Sequence, residues 1–167
     1  MLKTFLTKNS FQTKKIGENL AKGILANQIK KSSKRALILG LIGDLGGGKT
    51  TFLQGFAKGL GIKSRITSPT FIIMKRLKIK NCKLKIKNLY HIDCYRIRNH
   101  REILDLGFRK IISNPQNVIA IEWADKIKKI LPKNSIILNF EFINKKQRKI
   151  ILKNSLLNLV LEKTSKR

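Results

Sequence analysis

The 167 residues, 42% of them hydrophobic, suffice for one domain with a continuous core, and we expect a single domain over residues 1–167. No apolar run reaches the roughly 18 residues that span a bilayer, and residues 1–15 carry charges where a signal peptide is apolar, so membrane proteins are excluded and a cytoplasmic location is expected. The formal net charge of +28 favours an anionic partner such as nucleic acid, although the lysines are spread along the whole chain and an AT-rich genome enriches the same residues.

The first predicted element is an amphipathic helix over 13–29, with Ser10 near its N-cap. A strand at 36–42 follows, and residues 43–50 then read Gly-Asp-Leu-Gly-Gly-Gly-Lys-Thr, which matches the phosphate-binding pattern Gly, any four residues, Gly, Lys, Ser or Thr. Apolar residues at helical spacing over 51–60 predict a second helix. Strand, loop and helix therefore occur in the order that a phosphate site requires.

Each residue type in this loop is explained by what phosphate binding requires. Glycines allow several backbone N–H groups to point into one concavity and surround phosphate oxygens. Lys49 supplies a cation for the β- and γ-phosphates, and the hydroxyl of Thr50 is placed to bind magnesium. The N-terminus of the following helix adds its partial positive charge. Because the chain has no Asn-Lys-x-Asp sequence for guanine, we predict a site for ATP with Mg²⁺.

The next segments combine a proline turn with basic strands. Residues 67–71, Thr-Ser-Pro-Thr-Phe, suit either a plain turn or a segment that becomes ordered over the γ-phosphate through Ser68 and Thr70. A strand is predicted at 71–74. The repeats at 77–81 and 84–88 alternate Lys with apolar residues, which is typical of a hairpin with one solvated face, and that face could also contact RNA.

The last part of the chain mixes short strands and helices. We predict a helix at 102–107, a buried strand at 118–121, a helix at 124–131 ended by Pro132, a hairpin of 135–142 and 148–152, and a terminal helix at 154–163. The elements alternate too irregularly for a purely parallel sheet. The expected fold is an α/β domain like that of P-loop NTPases, with three layers and a mixed central sheet flanked by helices.

Carboxylates are scarce, so those beside motifs are candidates for catalysis. Glu122 ends a buried strand, where the metal-binding acid of such domains lies, unless it is a surface acid. Asp93 could hold magnesium through water, orient the attacking water, or form an ion pair with Arg96. His91 could act as a general base or make a structural hydrogen bond, and Trp123 could pack on the site, contact a partner or belong to the core.

Four segments in series resemble those of the TsaE family, also called YjeE: residues 43–52, 68–71, 91–96 and 121–125. The resemblance covers nearly the whole chain. It implies a small bacterial ATPase needed to form N6-threonylcarbamoyladenosine in tRNAs that read codons beginning with A. It also implies the proteins TsaB and TsaD as partners, ATP hydrolysis that resets their complex between turnovers, and contact with tRNA through that complex.

The resemblance further implies roles for single residues. It assigns catalysis to Lys49, Asp93 and Glu122, and magnesium to Thr50 and Glu122. The nucleotide-binding set that it implies is Ser10, Thr13, Leu45, Gly46, Gly47, Gly48, Lys49, Thr50, Thr51 and Arg148. The basic segment 77–89 and the residue Cys94 depart from the family pattern, which bears on partner affinity rather than activity.

Two other functions stay open from the residues alone. The loop would equally serve a small-molecule kinase, although no arginine-rich lid is apparent. The charge of +28 would suit a basic RNA-binding module whose loop has lost its activity.

Overall fold

The computed structural model describes residues 2–28, 34–68, 72–80 and 84–153. Within these ranges, seven strands form one mixed sheet in the order β1-β7-β6-β2-β5-β4-β3. The strands are β1 (Leu2–Thr7), β2 (Leu37–Gly43), β3 (Met74–Lys78), β4 (Asn88–Asp93), β5 (Asn117–Glu122), β6 (Ile136–Phe142) and β7 (Arg148–Lys153). Strand β2 runs parallel to β5 and β6, and β4 runs parallel to β5, whereas the outer pairs are antiparallel.

Helices cover both faces of the sheet. They are α1 (Ser10–Gln28), α2 (Lys49–Gly59), α3 (His100–Asp105), α4 (Phe108–Ser113) and a 3-10 helix, Ala124–Ile130. Leu20 of α1 and Phe56 of α2 belong to one apolar cluster, and Ile103 of α3 and Phe108 of α4 belong to a second. A fully buried side chain of this size contributes about 1.5–3 kcal/mol through removal from water. The predicted three-layer α/β fold with a mixed sheet is thus confirmed.

Helices α1 and α2 touch backbone to backbone. A Cβ atom added to Gly55 of α2 would lie 1.8 Å from the carbonyl oxygen of Lys14, and one added to Gly17 of α1 would lie 2.2 Å from the carbonyl oxygen of Phe52. Real Cβ atoms do not approach so closely, so only glycine permits this contact. The two helices that follow β1 and β2 are therefore held as one unit.

Four helical predictions need correction at their ends. Helix α2 spans Lys49–Gly59 rather than 51–60, and α3 spans His100–Asp105 rather than 102–107. Helix α1 begins at Ser10 rather than at residue 13, and its first turn is capped by Asn9, whose Oδ1 accepts a hydrogen bond from the N–H of Gln12 at 2.9 Å. The helix predicted at 124–131 is a 3-10 helix that ends at Ile130. Strand β1 and helix α4 were not predicted. The terminal helix predicted at 154–163 lies outside the described residues.

The predicted lysine-rich hairpin has a different register. Strand β3 begins at Met74 and pairs with β4, which starts only at Asn88, so residues 84–88 are largely connection rather than strand. The physical reason is that β4 lies between β3 and β5 and is covered on both faces, where alternating lysines would be buried. The strand predicted at 71–74 is wrong at residues 72 and 73, where the chain turns and Ile73 has φ 60°, so that β3 starts only at Met74. Residue 71 and the turn at 81–83 lie outside the described residues. None of the helices in the described ranges is both long and apolar enough to cross a membrane.

Candidate functional site

The glycine-rich loop joins the end of β2 to the start of α2. Gly43 has φ +135°, and a Cβ atom there would lie 2.1 Å from the carbonyl oxygen of Phe140 in the neighbouring strand β6. Gly48, which precedes the first residue of α2, has φ +98°. Both positions therefore require glycine, for close approach to β6 at the first and for the left-handed backbone at the second. The loop leaves the sheet at its carboxyl edge and points the start of α2 towards the site.

Lys49 is buried at the start of α2, with 4% of its surface exposed. Its ammonium group donates to the carbonyl oxygens of Gly43 at 2.5 Å and of Asp44 at 2.8 Å. The same group lies 4.0 Å from the ring centre of Trp123. Burial lowers the pKa of Lys49, and the nearby carboxylates, Glu122 first, oppose that change.

Glu122 ends β5 and is 3% exposed. The hydroxyl of Thr50 lies 2.9 Å from each of its carboxylate oxygens and donates to them. On the other side, Nε2 of the buried His91 lies 2.9 Å from Glu122 Oε1. His91 thus makes the structural hydrogen bond that was one of its two predicted roles, and it fixes the orientation of the carboxylate.

Asp93 ends β4 and is the register partner of Glu122 in the parallel pair β4–β5. Its carboxylate is buried and accepts from two directions. The N–H of Tyr95 donates to Oδ1 at 2.8 Å, and the hydroxyl of Ser68 donates to Oδ2. Adjacent parallel strands that end in acids place two carboxylates side by side at the carboxyl edge of the sheet. Of the predicted segment 67–71, residues 69–71 lie outside the described residues.

Arg148 closes the site from the β7 side. Its Nε donates to the carbonyl oxygen of Gly46 in the loop at 2.7 Å, and its guanidinium carbon lies 4.4 Å from the ring centre of Phe142. The hydroxyl of Thr7 donates to the backbone oxygen of Arg148 at 3.3 Å and lies 2.9 Å from the hydroxyl of Thr13. These bonds bring the start of α1 and the start of β7 to the glycine-rich loop.

A cavity of about 710 Å³ collects these side chains. Of the residues predicted to bind nucleotide, magnesium or water, all line this cavity except Gly47, whose N–H donates to the carbonyl oxygen of Asp44 at 3.1 Å. The lining residues in the predicted set are Ser10, Thr13, Leu45, Gly46, Gly48, Lys49, Thr50, Thr51, Asp93, Glu122 and Arg148. The structure therefore brings together residues from both ends of the chain.

Several lining residues were not predicted to act at the site. Lys8 and Asn9 precede α1, Tyr95 follows β4, and Lys145 and Lys146 lie in the β6–β7 turn. Tyr95 lies inside a segment that the sequence singled out, at 91–96, so its position was a usable signal. The two turn lysines carried no signal beyond charge, because lysine is abundant throughout the chain.

The donor atoms suit magnesium. Mg²⁺ prefers oxygen ligands, keeps several of its waters, and is usually bound by one or two carboxylates together with substrate phosphates. Thr50 and Glu122 supply a hydroxyl and a carboxylate within hydrogen-bond distance of each other. Among the residues that the structure describes, no cluster of three or more His, Cys, Asp or Glu side chains could hold a metal without further ligands. The two residues thus fit an ion that is shared with a phosphorylated ligand.

Comparison with known proteins agrees with this geometry. The family described as "Threonylcarbamoyl adenosine biosynthesis protein TsaE" matches residues 7–150. A Haemophilus influenzae protein named tRNA threonylcarbamoyladenosine biosynthesis protein TsaE is 31% identical over 134 residues, covering 80% of this chain and 78% of that protein. A protein of the same name from Rickettsia felis is 35% identical over 141 residues, covering 84% of this chain and 73% of that protein. Another, from Bacillus subtilis, is 43% identical over 99 residues, covering 59% of this chain and 58% of that protein.

A solved structure that matches this chain does so along nearly the full length of both. It is the crystal structure of Bacillus subtilis YdiB, with a TM-score of 0.72 and 28% sequence identity, and the match covers 99% of this chain and 95% of that one. The family match spans both the glycine-rich loop and the two strand-end acids. The chain belongs to the TsaE family of threonylcarbamoyl adenosine biosynthesis proteins.

Proposed function

We propose that this protein binds and hydrolyses ATP with Mg²⁺, and that the hydrolysis supports formation of N6-threonylcarbamoyladenosine in tRNAs that read codons beginning with A. The observation that carries the proposal is the convergence of Lys49, Thr50 and Glu122 on one cavity of about 710 Å³. The names of the relatives, which are tRNA threonylcarbamoyladenosine biosynthesis proteins, support the assignment to this tRNA modification. We place the activity in the cytoplasm and assign TsaB and TsaD as its protein partners.

Lys49 binds the β- and γ-phosphates in this proposal. Its ammonium group now donates to two neutral carbonyl oxygens, those of Gly43 and Asp44. An anionic phosphate oxygen adds the attraction between opposite charges to the hydrogen bond, which a neutral carbonyl acceptor does not supply. Because burial lowers the pKa of Lys49, a phosphate also restores the stability of its charged form. Lys49 therefore exchanges carbonyl partners for phosphate partners when ATP enters.

Thr50 and Glu122 hold the magnesium, which when bound offsets negative charge on the phosphates. The hydroxyl of Thr50 and the carboxylate of Glu122 already lie 2.9 Å apart, so they need little rearrangement. His91 keeps the carboxylate in place through its bond to Oε1. In this arrangement His91 is a positioning residue, since it acts through Glu122.

Asp93 orients the attacking water. Its Oδ1 is held by the N–H of Tyr95, which fixes the plane of the carboxylate. Its Oδ2 accepts from the hydroxyl of Ser68, and a water molecule can take the place of that hydroxyl. A buried carboxylate with one oxygen fixed and the other available to a hydroxyl donor is suited to position a nucleophilic water.

One set of assays tests the proposal. ATP turnover is measured with this protein alone, with TsaB or TsaD, and with both proteins and tRNA, while the modified nucleoside is quantified. We expect the highest turnover with both partners, and repeated rounds of modification only when this chain is present. Lys49→Ala should abolish both ATP turnover and repeated modification. Lys58 is an exposed lysine on the same helix, and Lys58→Ala should abolish neither.

The same assays separate the alternatives. If TsaB and TsaD formed the modified nucleoside over many turnovers equally well without this chain, the proposed function would be wrong. Release of ADP that depends on a small-molecule acceptor and needs no partner protein would instead indicate a kinase.

A further inference from the structure

A second groove lies beside the nucleotide cavity, at the same carboxyl edge of the sheet. It has a volume of about 610 Å³ and is formed by the segment after β4 and by the 3-10 helix after β5. Its lining residues are Arg98, Asn99, His100, Asp125, Lys126, Lys128 and Lys129. Asp125 is the one carboxylate among the described residues that line it. The groove is thus an anion-binding surface by charge.

Compositional bias accounts for the three lysines of the groove but not for the arginine beside them. An AT-rich genome enriches lysine over the whole chain, but three of the nine arginines fall within the six residues 96–101. Arginine carries a planar fork of donors that matches phosphate oxygens and is favoured where phosphates are bound. Arg98 is the one of these three arginines that lines the groove, and it points to a phosphate-bearing partner.

Hydrogen bonds hold the walls of the groove in place. Glu102 Oε1 accepts from the N–H groups of Arg98 and Asn99, each at 2.9 Å, and the Asn99 side chain accepts from the N–H of Arg101 at 3.0 Å. The ammonium group of Lys126 donates to the carbonyl oxygens of Tyr95 and Ile97, which ties the 3-10 helix to the segment after β4. A surface that is already fixed loses less conformational entropy when it binds a ligand.

An exposed aromatic ring stands between the groove and the nucleotide cavity. Tyr95 is 46% exposed, lines the nucleotide cavity, and has its ring centre 5.6 Å from the ammonium group of Lys126. A basic groove beside an exposed aromatic ring is typical of proteins that bind single-stranded nucleic acid, since bases stack on the ring while phosphates contact the cations. A lipid headgroup or a phosphopeptide has no base to stack.

We propose that this groove binds the phosphate backbone of a single-stranded RNA loop, with a base stacked on Tyr95. The inference deepens the proposed function, on which the choice of tRNA as the RNA rests. Because the N–H of Tyr95 also holds Asp93, an RNA base on Tyr95 contacts the residue that positions the carboxylate proposed to orient the attacking water. Binding of tRNA and turnover of ATP would then be coupled through one residue.

The chain offers a control with matched charge. A different cavity of about 820 Å³ is lined by Lys14, Lys58, Lys63 and Arg65, and no aromatic residue is among its described lining residues. The variant Arg98→Ala/Lys128→Ala/Lys129→Ala removes three positive charges from the groove. The variant Lys58→Ala/Lys63→Ala/Arg65→Ala removes three from the control cavity, so both proteins have the same net charge.

Fluorescence anisotropy with a labelled tRNA anticodon stem-loop tests the inference on the isolated chain. At near-physiological salt we expect the groove variant to bind about tenfold or more weakly than the wild type, with a shallower dependence of affinity on salt, and the control variant to lose at most about threefold. Tyr95→Ala should weaken binding of the stem-loop by about tenfold but leave binding of a blunt duplex of the same stem unchanged. Tyr95→Phe, which keeps an aromatic ring, should bind the stem-loop as tightly as the wild type.

Equal losses in the two charge-matched variants would overturn the inference, as would phosphatidylserine vesicles bound as tightly as RNA with the same sensitivity to the groove variant. The outcome is distinguishable from that of the proposed function. If the groove variant alone loses RNA binding while no protein combination turns over ATP, the groove is confirmed as an RNA site and the proposed function is wrong. If ATP turnover follows the proposal while the groove variant binds RNA as the wild type does, the inference about the groove is wrong.

Discussion

The ammonium group of Lys49 lies 4.0 Å from the ring centre of Trp123, so an aromatic face holds the lysine of the glycine-rich loop together with two backbone carbonyls. Trp123 follows Glu122 and has a left-handed backbone, with φ 58° and ψ 43°. This conformation is uncommon for a bulky residue and turns the ring towards the loop cavity, whose wall it forms. The surroundings of the Trp123 ring therefore depend on the position of the Lys49 ammonium group.

Nucleotide binding should change the fluorescence of Trp123, the only tryptophan of the chain. Phosphates compete for the Lys49 ammonium group, and its departure from the ring alters the electrostatic surroundings of the indole. We expect Lys49→Met to change the emission without nucleotide and to remove the response to a non-hydrolysable ATP analogue. Lys58→Met, on an exposed part of the same helix, serves as control. Saturating analogue that leaves the emission unchanged would contradict this account.

Glu122→Ala should impair magnesium-dependent hydrolysis more than nucleotide binding. The backbone N–H groups of the loop remain, whereas one ligand of the magnesium that offsets charge on the reacting phosphates is lost, which costs on the order of a hundredfold in rate. Turnover and equilibrium binding of a labelled ATP analogue would be compared. Asp125→Ala, an exposed acid three residues further on, should keep both properties. Loss of binding and rate to the same degree would argue against a metal role for Glu122.

Removing the Thr50 hydroxyl should raise the magnesium concentration needed for turnover and lower the maximal rate by about tenfold or more, because one oxygen ligand is lost. Thr50→Val keeps the shape of the side chain, and Thr50→Ser keeps the hydroxyl that donates to Glu122. Titration of magnesium against rate should therefore separate the valine variant from the serine variant and the wild type. Identical titration curves for all three would refute the assignment.

Cys94 should make stability fall at high pH. Burial raises the pKa of its thiol from 9.0 to about 12. The unfolded chain therefore ionises this thiol first, and the contribution to stability, fully present below pH 9, is lost as pH rises from 9 towards 12. Between pH 8 and pH 10, the difference in unfolding free energy between wild type and Cys94→Ala should shrink by about 1.4 kcal/mol. Urea unfolding at both pH values measures it, and a constant difference would contradict the buried neutral thiol.

The position and conformation of the loop were predictable because they are local in sequence. The spacing from Gly43 to Thr50 sets both the backbone conformation and the positions of the reactive groups. Glu122 and Asp93 were also predictable as acids that end apolar strands. Their neighbourhood depended on the parallel pairing of β4 with β5, which the strand patterns alone do not determine.

Contacts across the sheet could not be predicted. The bond between His91 and Glu122 and the contact between Lys49 and Trp123 join residues more than 30 positions apart, or depend on an uncommon backbone angle. The lysine-rich hairpin was placed wrongly because its alternation fits an exposed strand, whereas β4 is buried on both faces. Position within the sheet, rather than local pattern, decided which residues formed the strand.

The backbone contact between α1 and α2 has a consequence for the width of the nucleotide cavity. Helix α1 carries Ser10 and Thr13 on one wall, and α2 carries Lys49 and Thr50 on the other. Since the helices meet at Gly55, about two turns beyond the loop, their separation is as small as two polypeptide backbones allow. Gly55, which does not line the cavity, thus determines the distance between its two walls.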